Sequence, residues 1–316
     1  MSQDELRVKY FRFIANESLE SNIEMLDIFI HGYFNMILST PKASTTIESD
    51  GRIMLQMMTS KLLHLRKLLN GITYFAPNGQ KILDALLDPT VISVLVRNIF
   101  ETVCTFNIVF INTKSDDERR IIHNLWSIAG FEYRQKFKDI ATSDENRLKA
   151  ENEKDIVLKL RAEIEETDLF KSLDNRNQKK IIEKIKDKDY KISFGKQKVI
   201  YLSWQDISKI LLPKFDALDK MYIYFSLYAH PSHVSVWQYK DLFNKQHEGH
   251  KELTRFNTKI CLILSSIFLS DFIKTFPDLL PTFERESILN QILMNAYNQM
   301  FRGESFSINN SWKSLG

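Results

Sequence analysis

Apolar residues recur at three- and four-residue steps over long stretches of this chain, and that spacing matches the 3.6-residue turn of an α-helix. Between residues 3 and 38 the pattern takes in Leu6, Tyr10, Phe13, Ile14, Met25, Ile28, Phe29 and Phe34, and it predicts one long helix. Little interrupts such runs. Nine glycines and seven prolines in 316 residues disfavour a sheet-rich fold with many tight turns. The expected fold class is all-α, a multi-helix bundle with a charged helical insertion and one small hairpin.

The breaks divide the chain further. "STPKAST" ends the first helix, and Thr45 and Glu48 stand at capping-box spacing for a second that runs to near Gly71. "APNG" reads as a turn followed by a short helix up to Asp88-Pro89. Asp88 then caps the next helix, with Pro89 in its first turn, where a missing N–H costs nothing. That helix, 89–112, is almost wholly apolar and should be central. Residues 115–147 read as a more polar helical stretch with Trp126 and Tyr133.

Composition shifts near residue 143. Two charge-dense helices are expected, with thin apolar stripes at Ile156, Leu160 and Ile164 and at Ile181, Ile182 and Ile185. β-branched and aromatic residues around Gly195 predict the hairpin. Ser203 and Asp206 cap a helix at "WQDISKILL"; a helix follows Pro213 and ends at His230, and two more span 249–275 and 282–301. The division is thus 1–142 and 203–303 for the helical core, 143–202 for the insertion and 304–316 for a flexible tail.

Hydrophobic residues at 44% and charged residues at 26% are those of a soluble globular protein, and a net charge of +3 does not by itself imply a polyanion partner. Cys104 and Cys261 lie in apolar runs and read as buried reduced thiols. "MSQDELRVKYFRF" lacks a signal-peptide core, and "ICLILSSIFLSDFI" carries Asp271 and is shorter than the roughly 20 residues of a spanning helix. The expectation is a cytoplasmic protein with no membrane contact, no cofactor and no metal. His247, Glu248 and His250 offer two histidines three apart but no third ligand, and a solvated loop explains them. Gly-rich phosphate loops and a G-x-S-x-G elbow do not occur in the sequence.

Two stretches have the residue types for chemistry. In "DPTVISVLVRNIFETVCTFNIVFI", Thr90, Ser93, Arg97, Glu101 and Thr105 fall on one helical stripe. The stripe is where the helix meets water, or a buried Arg97–Glu101 pair that holds a polar pocket, or a purely structural buried bridge, and such a pair seldom stabilises a fold on its own account. In "YIYFSLYAHPSHVSVW", Ser226 and His230 share a helix face, and Pro231 stops the helix at His230. There the helix dipole favours imidazolium. His230 is either a helix-end cap or the acid–base partner of Glu101, with Arg97 stabilising negative charge. Elsewhere, residues 171–198 hold ten Lys/Arg and four Asp/Glu, an excess of +6 that leaves −3 for the rest. With Phe170, Tyr190 and Phe194 nearby, this stretch is either a solvated face or a contact for RNA phosphates.

With "LVRNIFE" and "YFSLYAHPS" placed, residues 50–240 resemble a broad group of bacterial all-helical proteins that carry Arg-x3-Glu on a central helix and Ser-x3-His-x-Ser at a later helix end. More distantly the chain is similar to HEPN domains, many of which are metal-independent RNases of phage defence or toxin–antitoxin systems. Arg97-Asn98 matches the first half of the HEPN motif; positions five to seven after Arg97 are Thr102, Val103 and Cys104, so the motif histidine is missing. The resemblance implies a bacterial defence or stress effector that binds or cleaves RNA. Arg97, Glu101 and His230 would be catalytic, and Asn98, Ser226, Ser232 and His233 would bind. The rival reading is a non-enzymatic helical module with a protein partner or a second copy.

Overall fold

The structure is a computed structural model. It describes residues 2–15, 18–140, 143–196, 198–214, 218–240 and 249–303, apart from the side chains at 139, 218 and 219. The expected tail, His247 and Glu248 lie outside the described residues. Two compact units divide the chain: Met1–Phe106 with Trp204–Gly316, and Asn107–Ser203. The described residues are mostly helical, with two short two-stranded sheets.

Helix α1 is Gln3–Ile14 and α2 is Leu19–Ser39. The single helix expected over 3–38 is therefore two. Ser18 is responsible: its Oγ accepts from the Ser21 amide at 3.1 Å while Ser21 Oγ accepts from the Ser18 amide at 3.0 Å. This reciprocal cap satisfies amides that a continuous helix would have bonded to preceding carbonyls. Thr45 caps α3, Thr46–Leu68, by accepting from the Glu48 amide at 3.1 Å.

The short helix expected before Asp88 is instead a hairpin of β1, Ile72–Phe75, and β2, Lys81–Leu86. Its tip closes by the Ala76 amide on the Gln80 carbonyl, 2.8 Å, and the Gly79 amide on the Ala76 carbonyl, 2.9 Å. Gly79 sits at φ +82°, which favours glycine at the tip of a bulged hairpin loop. Gly71 enters at φ +74°, and a Cβ there would lie 2.5 Å from the Ala85 carbonyl carbon. Helix α4, Pro89–Phe106, follows and continues as one π turn, Asn107–Ile111. Asp88 caps it, accepting from the Thr90 amide at 2.9 Å.

The second unit contains α5, Asp116–Gln135, a 3-10 turn at Lys138–Ile140, α6, Asp144–Glu166, α7, Asp168–Ser172, α8, Asn175–Asp187, and a hairpin of β3, Ile192–Gly195, and β4, Lys198–Tyr201. The helical stretch expected over 115–147 thus stops at Gln135, and a new helix starts where Ser143 accepts from the Asn146 amide at 3.3 Å. The unit has its own core of Ile121, Ile122, Leu125, Ile128, Ile164, Ile181, Ile192 and Val199. Of the two apolar stripes, Ile164 and Ile181 are fully buried, whereas Ile156 is 41% exposed.

The first unit resumes with α9, Trp204–Leu211, α10, Leu218–Ala229, α11, His233–Tyr239, α12, Gly249–Thr275, α13, Leu280–Glu284, and α14, Ile288–Arg302. Helix α12 packs against α4, α14 and α2 and is buried almost all round. Its polar residues are satisfied inside. Asn257 Nδ2 donates to Ser93 Oγ at 2.7 Å, and Ser266 Oγ to the Met294 carbonyl at 2.7 Å. Asp271 takes a two-pronged bond from Arg302, at 2.5 and 2.9 Å, with both side chains 1% exposed. Cys104 and Cys261 are buried free thiols.

Pro89–Ile111 and Gly249–Thr275 are long and apolar enough to cross a membrane, but 67% and 89% of their most apolar windows are buried inside the protein. Such burial is ordinary for core helices of a globular fold.

Candidate functional site

The polar stripe of α4 is buried at Ser93, 0% exposed, and Thr105, 7%, and meets α10 at Arg97 and α12 at Ser93. Arg97 Nε donates to Glu101 Oε1 at 3.0 Å, with the side chains 20% and 30% exposed. The guanidinium also donates to Tyr222 Oη at 3.1 Å, and its carbon lies 4.9 Å from the Tyr222 ring centroid. Tyr222 packs on Phe100 at 6.2 Å and stacks on Trp204 at 5.9 Å, 24° between planes. Lys61 from α3 adds a second cation by donating to Thr102 Oγ1. Burial lowers the pKa of its ammonium, an effect that Glu101 partly offsets. Lys61, Trp204 and Tyr222 were absent from the residues expected here. Tyr222 carried a signal, being one turn before Ser226 in the singled-out stretch. Lys61 carried none beyond its place on an amphipathic helix.

Contacts along the seam run in opposite directions on the two helices. Tyr222 meets Arg97, and Tyr224 shares Asn257 with Ser93, its Oη donating to Asn257 Oδ1 at 3.3 Å. Tyr228 and His230 meet Thr90 around a cavity of about 290 Å³ that Pro231, Ser235 and Tyr239 also line. Helices α4 and α10 are thus antiparallel, and His230 stands at the level of Thr90. Seven residues separate Thr90 from Arg97, roughly 10 Å of helix rise. General acid–base work needs hydrogen-bond or one-water reach. The structure therefore brings Arg97 and Glu101 together, adds Tyr222, and leaves His230 at the other end of the seam. The expected pairing of His230 with Glu101 is not what this packing gives.

The remaining expected site residues serve the backbone or face outward. Ser226 Oγ donates to the Tyr222 carbonyl at 2.7 Å. Ser232 caps α11, accepting from the Ser235 amide at 3.1 Å, and donates to the Leu227 carbonyl at 2.9 Å. His230, His233 and Asn98 are exposed. Among the described residues, no group of three or more His, Cys, Asp or Glu is placed to hold a metal ion.

In the second unit the basic stretch sorts into two sets. Lys184 and Lys191 hold Asp189 at 2.6 and 2.5 Å, and Lys188 lies 3.5 Å from Glu132. Burial pushes the Asp189 carboxyl up, but the hydrogen bonds from Lys184 and Lys191 outweigh it and hold the group at about 2. The other set is exposed. The β3–β4 hairpin docks on α8 through the Val199 amide on Asn177 Oδ1, 2.9 Å, and Lys180 Nζ on the Val199 carbonyl, 2.7 Å. Around this contact Arg176, Lys179, Lys196 and Lys198 are exposed, and among the described residues no carboxylate is within ion-pair distance of them. Beside them Ile200 is 48% and Tyr201 41% exposed. Lys184 and Lys180 lie 4.5 and 5.9 Å from the Tyr201 ring, and Tyr201 Oη lies 3.0 Å from Glu183 Oε2; burial first, and this carboxylate second, push the phenol up to about 12.

Comparison of the chain with protein-family models, curated proteins and solved structures finds no match.

Proposed function

We propose that the chain is a helical RNA-binding protein that holds the phosphate backbone on the basic face of its second unit. The observation that carries this reading is the set of four exposed cations, Arg176, Lys179, Lys196 and Lys198, where the hairpin docks on α8, none of them within ion-pair distance of a carboxylate among the described residues. Phosphates bind such a face by displacing condensed counterions, which needs charge density rather than a shaped pocket. Ile200 and Tyr201 supply apolar surface at the same place, where unpaired bases can rest. The reading assigns no cleavage step. Arg97 is engaged by Glu101 and Tyr222, and His230 lines a cavity with Thr90, about two helical turns along α4 from Arg97. In this reading the protein works in the cytoplasm, where a bacterial defence or stress effector would meet RNA.

Fluorescence anisotropy with a labelled single-stranded RNA tests it. The R176A/K179A/K196A/K198A variant should bind at least about tenfold more weakly than the wild type at moderate salt, since each lost phosphate contact removes part of the counterion-release term. Affinities within about twofold of each other would contradict the proposal. The same RNA should emerge uncut after incubation with the wild type and with His230→Ala.

A further inference from the structure

A cavity of about 350 Å³ opens in the second unit between the end of α5 and the start of α6. Helix α6 supplies one wall through Asn146, Lys149, Ala150 and Glu153, which share a helix face at steps of three and four residues. The chain after α5 supplies the other, with Phe137 and the ends of the 3-10 turn, Lys138 and Ile140. Two ties brace the walls. Gln135 Nε2 donates to the Ala150 carbonyl at 2.7 Å, and Arg134 Nε donates to Glu153 Oε2 at 2.9 Å while a terminal nitrogen of Arg134 pairs with Oε1. The cavity is therefore held open by contacts of the fold itself.

Its lining combines exposed apolar groups with unbalanced positive charge. Phe137 and Ile140 are 60% and 71% exposed. The Glu153 side chain is 4% exposed and is taken up by Arg134 on two oxygens, so it offers little repulsion to an incoming anion. Lys138 and Lys149 remain, and among the described residues no carboxylate lies within ion-pair distance of either. Of the other carboxylates on the first turns of α6, Asp144 is held by Arg147 at 3.3 Å, and Glu145 and Glu151 are exposed and do not line the cavity.

We propose that this cavity binds a small amphipathic anion, a free carboxylic acid with a single short apolar chain. Size sets the first limit: about 350 Å³ is near the lower end of small-molecule sites, so one short chain fits and a bilayer does not. Phe137 and Ile140 gain by covering an apolar chain. Charge sets the second limit. Three cations against one carboxylate leave an excess of +2 in the lining, which a carboxylate complements, a cation opposes and a neutral chain leaves unbalanced. The inference stands apart from the RNA reading, because none of the four cations of that reading lines the cavity.

Isothermal titration calorimetry of the full chain with sodium decanoate, below its micellar range, tests the site. The wild type should bind one decanoate with a dissociation constant of roughly 100 μM or tighter, as expected of an efficient small ligand. Lys138→Ala/Lys149→Ala should weaken binding at least about tenfold, since it removes both charge-assisted contacts. Lys138→Arg/Lys149→Arg, which keeps the charge, should stay within about threefold of the wild type. Ile140→Ser should weaken binding about fivefold through lost apolar contact, with unchanged helical circular dichroism. The R176A/K179A/K196A/K198A variant should bind decanoate as the wild type does, so a failure of the RNA reading leaves this result standing. No decanoate binding by the wild type would overturn the proposal. So would decanol bound as tightly as decanoate, or a Lys138→Ala/Lys149→Ala affinity within about twofold of the wild type. Association with anionic phospholipid vesicles without binding of free decanoate would also overturn it.

Discussion

Removing Arg302 should unfold the first unit far more readily than its place at the end of the last described helix suggests. Its guanidinium donates in the interior to Asp271 at 2.5 and 2.9 Å and to the Leu211 carbonyl at 2.8 Å. It therefore ties α14 to α12 and to the end of α9. Both side chains of the pair are 1% exposed. Arg302→Met keeps most of the volume and deletes the charge. Breaking a buried pair from one side costs about 3–5 kcal/mol, because the remaining charge stays buried without its counterpart. Loss of the bond to Leu211 adds about 1 kcal/mol. The sum, about 4–6 kcal/mol, is a large part of the roughly 5–15 kcal/mol that holds a folded protein together. Asp271→Leu should cost a similar amount. The double variant should recover most of the loss, since an apolar pair of similar volume no longer carries desolvated charge. Urea unfolding followed by far-UV circular dichroism measures all four states of this cycle. A cost under about 1 kcal/mol for Arg302→Met, or a double variant as unstable as the sum of the singles, would refute the reasoning.

Other outcomes follow from single features. Asp189 titrates at about 2 in the folded chain against an ordinary value of 3.8, so its ion pairs stabilise the second unit above pH 4 and lose that effect as pH falls toward 2. Asp189→Asn should remove this part of the acid dependence, read as a flatter stability profile between those pH values. Gly71→Ala forces a side chain into a positive-φ position against the Ala85 backbone; it should destabilise the hairpin by about 1–3 kcal/mol, seen as faster amide exchange over residues 72–86. Tyr222→Phe removes one hydrogen bond from Arg97 and should cost about 1 kcal/mol in chemical unfolding.

The helices were legible because their apolar residues repeat at the helical period over many turns. Local competition decides where that reading stops. At Ser18 a reciprocal serine cap splits the stretch between Ile14 and Met25, where the helical-step positions Glu17, Ser18, Ser21 and Asn22 are polar. In β2 and just after it, Ile82, Leu83, Leu86 and Leu87 also fall at helical steps, so periodicity alone favours the wrong element. The deciding facts, a glycine on each side of β1 at positive φ, are visible only as ordinary glycines in the sequence. Asp271 read only as a charge that interrupts an apolar run; its partner was not legible, because 31 residues and a helix crossing separate it from Arg302. The Arg97–Glu101 pair follows from i, i+4 spacing on one helix. What that pair meets does not, because antiparallel packing of α4 and α10 sets it, bringing Tyr222 to Arg97 and carrying His230 away.

The central claim rests on phosphates meeting four exposed cations, and the salt dependence of binding measures that directly. For single-stranded RNA, the logarithm of affinity against the logarithm of salt should fall with a slope of roughly −3, about 0.7 for each of four neutralised phosphates. The R176A/K179A/K196A/K198A variant should show a slope near zero over the same range. A wild-type slope near zero, or a steep slope kept by the variant, would contradict the account.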